Sequence, residues 1–244
     1  RDERSWECFE VSPNGVHIVF VGLRGSLVVV SKHTKKPMKT ISISQQIVSI
    51  KFNVDGDYLY VLTQNAAVYV FDMKTFRCVD KMVFDGIVKA TCFDLFARLN
   101  LIAIGCSSGV VAVYHCVLKE NAMKKMVGGS LLMDGDDVVK KTKEDEAKSG
   151  GAVEALYNVE NLVTCIHGVE FNHDGQLLVL WSKTKKQAIR LVHVQSGKVY
   201  ANWPRDRGLS FVYKAKFSPH SGYLAVGNDI GQVKMMRLHF YGAQ

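Results

Sequence analysis

A unit of about forty residues recurs along this chain, and no other feature restricts its fold so strongly. Each copy runs in the same order: an apolar run with a Phe, a turn, an apolar strand, a second turn and a further strand. The copies read F-E-V-S-P-N-G-V-H-I-V-F-V-G from Phe9, F-N-V-D-G-D-Y-L-Y-V-L from Phe52 and C-F-D-L-F-A-R-L-N-L-I-A-I-G around Phe93. Two more follow, F-N-H-D-G-Q-L-L-V-L-W from Phe171 and F-S-P-H-S-G-Y-L-A-V-G from Phe217. The five Phe anchors are separated by 43, 41, 78 and 46 residues. Three of these gaps match the period of roughly 40–45 residues that folds into the blades of a propeller.

The turn chemistry fits that period. Asn14-Gly15, Asp55-Gly56, Asp174-Gly175 and Ser221-Gly222 fall at equivalent places, and such pairs supply the φ > 0 positions of short hairpin turns. Second turns follow at Arg24-Gly25, Asn65-Ala66, Ser108-Gly109 and Ile230-Gly231. The runs between are rich in Val, Ile, Leu, Tyr and Phe, as pleated, half-buried strands prefer. An ordinary β-sandwich also has a turn every 8–12 residues or so, but five in-phase copies favour four-stranded blades. The expectation is an all-β, WD-repeat β-propeller.

The long gap contains a different kind of sequence. From Lys119 to Ala152 the chain has no aromatic residue, seven Lys and seven Asp plus Glu. Few apolar residues, many charges and Gly pairs mark an inserted loop at 119–152. The remainder suffices for about five blades, and closed propellers have four to eight. Either the ring has five blades or earlier ones precede Arg1. The chain starts at Arg1, without a Met, which favours the second. The whole of 1–244 is read as one propeller domain, as a fragment.

Composition narrows the functional classes. With 48% hydrophobic and 22% charged residues, the chain is of ordinary globular type. Its apolar runs, such as Leu27 to Val30 and Leu177 to Trp181, have strand length, whereas a membrane helix needs about 20 residues. No membrane is expected as a partner. The six Cys at 8, 78, 92, 106, 116 and 165 form no C-x-x-C pair, so they read as free, mostly buried thiols in a reducing compartment. A net charge of +8 attracts polyanions, RNA and DNA foremost; on charge alone, plain solubility explains it equally well. The insertion is neutral, so the basic excess belongs to the propeller.

No residue constellation asks for catalysis. Places of the Trp-Asp type hold Phe71-Asp72, Tyr114-His115 and Val192-His193, with Val30-Ser31 in the first copy, and Asp72, His115 and His193 are read as structural. Gly105-Cys106-Ser107-Ser108-Gly109 matches G-x-S-x-G, but a nucleophile elbow joins a strand to a helix. Here strand leads to strand, so Ser107 and Ser108 read as turn residues. Phosphate-loop, zinc-protease and EF-hand patterns are missing from the sequence. The expectations are no catalytic residue, no metal, no cofactor and no small-molecule substrate.

Basic tracts remain. Lys32, Lys35, Lys36 and Lys39 surround what reads as an inter-blade connection; Lys183, Lys185 and Lys186 fill one hairpin; Arg205 and Arg207 follow Trp203-Pro204. Binding residues concentrate in loops on rigid scaffolds, and Lys and Arg there could meet phosphates without reading base sequence. A solvated loop is the plain alternative for any one of them. Contact with RNA or a partner is expected at Lys32, Lys35, Lys36, Lys183, Lys185, Lys186, Arg205 and Arg207.

The last two copies carry a particular resemblance. N-L-V-T-C-I-H-G-V-E-F-N from Asn161 and A-I-R-L-V-H-V-Q-S-G-K-V from Ala188 resemble the family of U3 small nucleolar RNA-associated protein 18. So do A-K-F-S-P-H-S-G-Y-L-A-V-G-N-D-I-G-Q-V from Ala215, R-L-H-F-Y from Arg237 and the opening F-E-V-S-P-N-G from Phe9. The resemblance covers the chain except for Lys119 to Ala152. It implies a non-catalytic scaffold of the small-subunit processome, the nucleolar particle built around precursor ribosomal RNA and U3 RNA. It implies other WD-repeat proteins as partners, RNA met directly or through the particle, and a place in the nucleolus of the nucleus. It also implies a seven-bladed ring of which this chain is the C-terminal part, two blades and a polar extension lying before Arg1. The competing reading is a WD-repeat adaptor outside ribosome biogenesis, on chromatin or in ubiquitin transfer.

Overall fold

The computed structural model describes residues 8–115, 153–204 and 208–238. Among these residues nineteen strands make five sheets. The first holds β1 (Phe9–Val11), β2 (His17–Val21), β3 (Ser26–Ser31) and β4 (Pro37–Ser42); the second holds β5 (Ile47–Phe52), β6 (Tyr58–Thr63), β7 (Ala67–Asp72) and β8 (Arg77–Val83). The third has β9 (Ala90–Phe96), β10 (Leu101–Cys106), β11 (Val111–His115) and β12 (Ala155–Val159). The fourth has β13 (Gly168–Phe171), β14 (Leu177–Trp181), β15 (Ile189–His193) and β16 (Lys198–Val199), and the fifth β17 (Val212–Phe217), β18 (Tyr223–Asn228) and β19 (Val233–Arg237). Every strand pairs antiparallel with its sequence neighbour, so each sheet is a meander. The expected insertion at 119–152 lies outside the described residues; β11 and β12, on either side of it, pair with each other.

Successive sheets touch through their first strands, in the order β1, β5, β9, β13, β17. The fourth strands are the most exposed, β4 and β8 above all. First strands inside and fourth strands outside is the arrangement of propeller blades. Alternation along the strands explains the packing: both faces of a middle strand are apolar because each blade has a neighbour on either side. Four hydrophobic cores result, each shared by two consecutive blades. Leu27 and Val29 of β3 meet Ile50, Leu59 and Val61 of the second blade; Val68 and Val70 meet Phe93, Ile102 and Ile104 of the third. Val111 and Val113 meet Val169, Leu178 and Leu180, and Ile189 and Leu191 meet Ala215, Leu224 and Val226.

Pairing register corrects the anchor alignment. Val19, Tyr60, Ala103, Val179 and Ala225 occupy one second-strand position, facing Glu10, Lys51, Asp94, Glu170 and Lys216. Phe52, Phe171 and Phe217 follow this charged residue, whereas Phe9 and Phe93 precede theirs and align with Ile50, Val169 and Ala215. Val11 and Leu95 hold the place of Phe52. Either position faces the preceding blade, because they are two residues apart on one face, so a bulky residue at either fills the same core.

The first turns are as expected in three blades, where Gly15, Gly56 and Gly175 have positive φ. In the fifth, Ser221 at φ 56 takes that conformation in place of Gly222, and in the third Asn100 does so at φ 53. The expected Trp-Asp-type pairs fall at the ends of third strands, one strand before the blade edge. Asp72 there accepts from the Lys74 N–H and the Thr75 hydroxyl, both at 2.9 Å, and so caps the β7–β8 turn.

Candidate functional site

A meander places its loops alternately on two rims, and the interblade hydrogen bonds identify each rim. Turns between second and third strands lie with the connections between blades: Ile43 N–H donates to Gly25 O at 2.8 Å, Ser107 N–H to Lys89 O at 3.0 Å and Gln187 N–H to Ser210 O at 3.0 Å. The other rim carries turns between first and second and between third and fourth strands. There Lys32 N–H donates to Val16 O at 3.0 Å and Asn14 Nδ2 to Gly56 O at 3.5 Å.

The expected basic residues divide between these rims. Lys32, Lys35 and Lys36 are exposed in the β3–β4 hairpin, which corrects their reading as an inter-blade connection; Lys39 sits on β4 itself. Lys183, Lys185 and Lys186 are exposed in the β14–β15 hairpin on the opposite rim. The two groups cannot form one surface. Arg205 and Arg207, in the connection before β17, lie outside the described residues.

Around the β14–β15 hairpin the structure adds aromatic residues that the sequence reading missed. Lys183 Nζ stands 5.0 Å from the centre of the Tyr213 ring and Lys186 Nζ 5.8 Å from that of Phe211. Lys214 Nζ stands 5.8 Å from the Trp181 ring. Tyr213 is 53% exposed because the β17–β18 ladder slips between Val212 and Lys214, leaving Tyr213 as the extra residue of a bulge; bulges re-aim side chains in this way. The site is rigid. Lys186 bridges to Phe211, Phe211 N–H donates to Asp229 Oδ1 at 3.1 Å, and Trp181 Nε1 donates to Tyr213 O at 3.2 Å. Burial and the Lys183 charge lower His167 beside it from its ordinary value. The signal available in the sequence was F-V-Y-K-A-K from Phe211, two aromatics followed at once by two lysines.

At one register position every first strand carries a charged residue: Glu10, Lys51, Asp94, Glu170 and Lys216. Lys51 pairs with Asp94 at 3.3 Å and Lys216 with Glu170 at 3.5 Å. Both acids also accept from the next blade, Asp94 from Phe171 N–H at 2.8 Å and Glu170 from Phe217 N–H at 3.2 Å. Burial pulls the Lys51 ammonium down, but Asp94 and Glu10 hold it above its ordinary value. Burial raises Glu10 and Glu170 against the pull of nearby lysines. These groups are engaged in joining blades.

Ser107 and Ser108 stand between β10 and β11, a strand-to-strand turn, where Ser108 Oγ lies 2.9 Å from Cys106 Sγ. Among the described residues no group of three or more His, Cys, Asp or Glu is placed to hold a metal ion. Five Cys are described and none is in a disulfide, but only Cys92 and Cys106 are buried; Cys78 is exposed, which corrects the expectation of mostly buried thiols. Burial pushes the Cys92 thiol up to about 12, which favours the neutral thiol over the thiolate. No helix among the described residues is long and apolar enough to cross a membrane.

No family model matches the chain, but individual proteins do. It is 33% identical over 244 residues to a U3 small nucleolar RNA-associated protein 18 homolog of Arabidopsis thaliana, covering 99% of this chain and 39% of that protein. The homolog of Homo sapiens is 28% identical over 98% of this chain and 38% of its own length. U3 small nucleolar RNA-associated protein 18 of Saccharomyces cerevisiae is 42% identical over 84 residues, 34% of this chain. The resemblance drawn from Asn161, Ala215 and Phe9 therefore extends along almost the whole sequence. The chain spans about two fifths of the length of the plant and human relatives.

Proposed function

We propose that this chain, a relative of the U3 small nucleolar RNA-associated protein 18 homologs along almost its whole length, is the propeller of a non-catalytic scaffold in ribosome biogenesis. Its place is the nucleolar small-subunit processome, where it supports processing of precursor ribosomal RNA and assembly of the small subunit. Its partners are other WD-repeat proteins of that particle, U3 small nucleolar RNA and precursor ribosomal RNA. The observation that carries this reading is the similarity over 99% of the chain to a protein whose name states the U3 association. The fold suits the role, since a stiff arc of blades offers two rims and can hold several partners without moving.

The ring itself belongs to this proposal. Phe9, Val11, Ile18, Phe20, Val28 and Val30 share the first blade's face away from the second. Their counterparts in the second blade, among them Ile50, Leu59, Val61 and Phe71, are buried. A further blade of the same polypeptide covers that face, residues 1–244 forming part of one propeller domain with the 119–152 segment inserted between β11 and β12.

Affinity purification of the tagged full-length protein, with sequencing of bound RNA and mass spectrometry of bound proteins, tests the assignment. U3 RNA, precursor ribosomal RNA and other propeller proteins are the expected catch. Chromatin or ubiquitin-ligase components without those RNAs would replace the assignment with a WD-repeat adaptor working elsewhere.

A further inference from the structure

We infer that Tyr213 and Phe211, with Lys183, Lys186 and Lys214 around them, form a stacking platform for single-stranded RNA on the rim of the fourth and fifth blades. The inference rests on the RNA-particle reading above and deepens it by naming the form of RNA and the residues that hold it. Unpaired nucleic acid is held where two features coincide: cations that follow the phosphates, and exposed ring faces on which bases stack. Both occur here within one rigid patch. Lys183 and Lys186 stand 5.0 and 5.8 Å from the ring centres of exposed Tyr213 and half-buried Phe211, which is cation–π distance, while the ring beside Lys214, that of Trp181, is buried beneath them. Tyr213 is 53% exposed, and the bulge at that position presents its ring instead of placing it in the ladder. The Phe211 backbone is fixed from two sides, by the Lys186 bridge and by Asp229, so a base meets a surface that is already ordered.

Chemistry favours RNA strands over the other polyanions in reach. A duplex hides its base faces and offers only phosphates, so it would use the lysines and leave the rings idle. An acidic protein segment would likewise need only the charges. The opposite rim, with Lys32, Lys35 and Lys36, supplies the internal control: it is basic, yet no lysine–ring pair is found there among the described residues.

The test is fluorescence anisotropy of the full-length protein with a labelled oligouridylate, competed by duplex RNA and by polyglutamate. Tyr213→Leu keeps an apolar side chain on the strand and removes the ring; it should weaken binding roughly tenfold, as loss of one stacked base does. Tyr213→Trp should restore it. Lys183→Gln with Lys186→Gln should weaken binding and lower its salt dependence. Tyr213→Leu binding as tightly as wild type would overturn the platform, as would duplex RNA or polyglutamate competing as well as the single strand. Co-purification of U3 RNA with the same proteins separates the two ideas. If U3 RNA is recovered but no direct strand binding is seen, the platform is wrong and the particle assignment stands. If strand binding depends on Tyr213 but U3 RNA is not recovered, the assignment fails and the platform stands.

Discussion

The first and second blades present nearly the same apolar face to what precedes them, and only one of those faces is covered. Ile50, Leu59 and Val61 are at most 5% exposed against the first blade, whereas Phe9 and Val11 are 48% and 43% exposed. Position by position the residue types match, Ile18 standing for Leu59 and Phe20 for Val61. A blade face thus has no burial of its own; its neighbour confers it. In repeat folds stability is a sum of unit terms and nearest-neighbour terms, and the contrast isolates the neighbour term.

Leu59→Ala should be the most damaging change, costing about 2–5 kcal/mol as a cavity in a shared core. Ile18→Ala, at the equivalent position, should cost well under half of that in the chain as described. In the full-length protein the two losses should converge, if a further blade covers the first; denaturant midpoints of both variants in both lengths decide it. An Ile18→Ala loss that stays small in the full-length protein would mean that the face is open.

The acid that reaches into the next blade gives a second, smaller contrast. Asp94→Ala removes the acceptor of Phe171 N–H and leaves Lys51 without its 3.3 Å partner, a loss of about 1–3 kcal/mol for a buried, charge-assisted bond. Glu170→Ala should cost less, because Lys216 is 67% exposed and its ion pair is screened. Equal losses would show that the backbone bond, common to both, carries the effect.

The pH dependence sharpens the same point. Burial raises Glu10 and Glu170 above the ordinary value of 4.5, so the folded chain binds their protons more tightly than the unfolded chain. Their contribution to stability therefore grows as pH falls from neutrality through the raised values towards 4.5, and shrinks as pH rises. Glu170→Gln should flatten that part of the profile relative to wild type, measured as unfolding midpoint against pH. A steeper difference would mean that the Lys216 pairing outweighs burial.

The smallest effect on stability is expected on the rims. Reversing Lys183, Lys185 and Lys186 to Glu should leave the midpoint within about 0.5 kcal/mol, as exposed substitutions do, yet reduce recovery of U3 RNA at raised salt. The same reversal at Lys32, Lys35 and Lys36 tests the opposite rim, and an equal loss there would remove the distinction between them.

Much of this fold could be read from the sequence because its period is long and its turns carry particular residues. Asn14-Gly15, Asp55-Gly56 and Asp174-Gly175 marked real hairpins. Position within a blade was harder to read, since Phe93 fills its core from a position two residues earlier in the blade than Phe52 does. The lysines were legible as a set but not as two rims, because side is fixed by the count of strands before each turn. Tyr213 escaped notice for a physical reason: a strand pattern predicts alternation, and a bulge breaks it.

The axial acids point forward along the chain. Asp94 is completed by Phe171 and Glu170 by Phe217, each from the blade made later. During synthesis, which delivers the N-terminal part first, a newly emerged blade keeps an open apolar face until its successor arrives, and Asp94 and Glu170 also wait for their backbone donors. The molecule is therefore assembled like a zip whose every tooth waits for the next, and a pause in translation between blades would leave one edge adhesive.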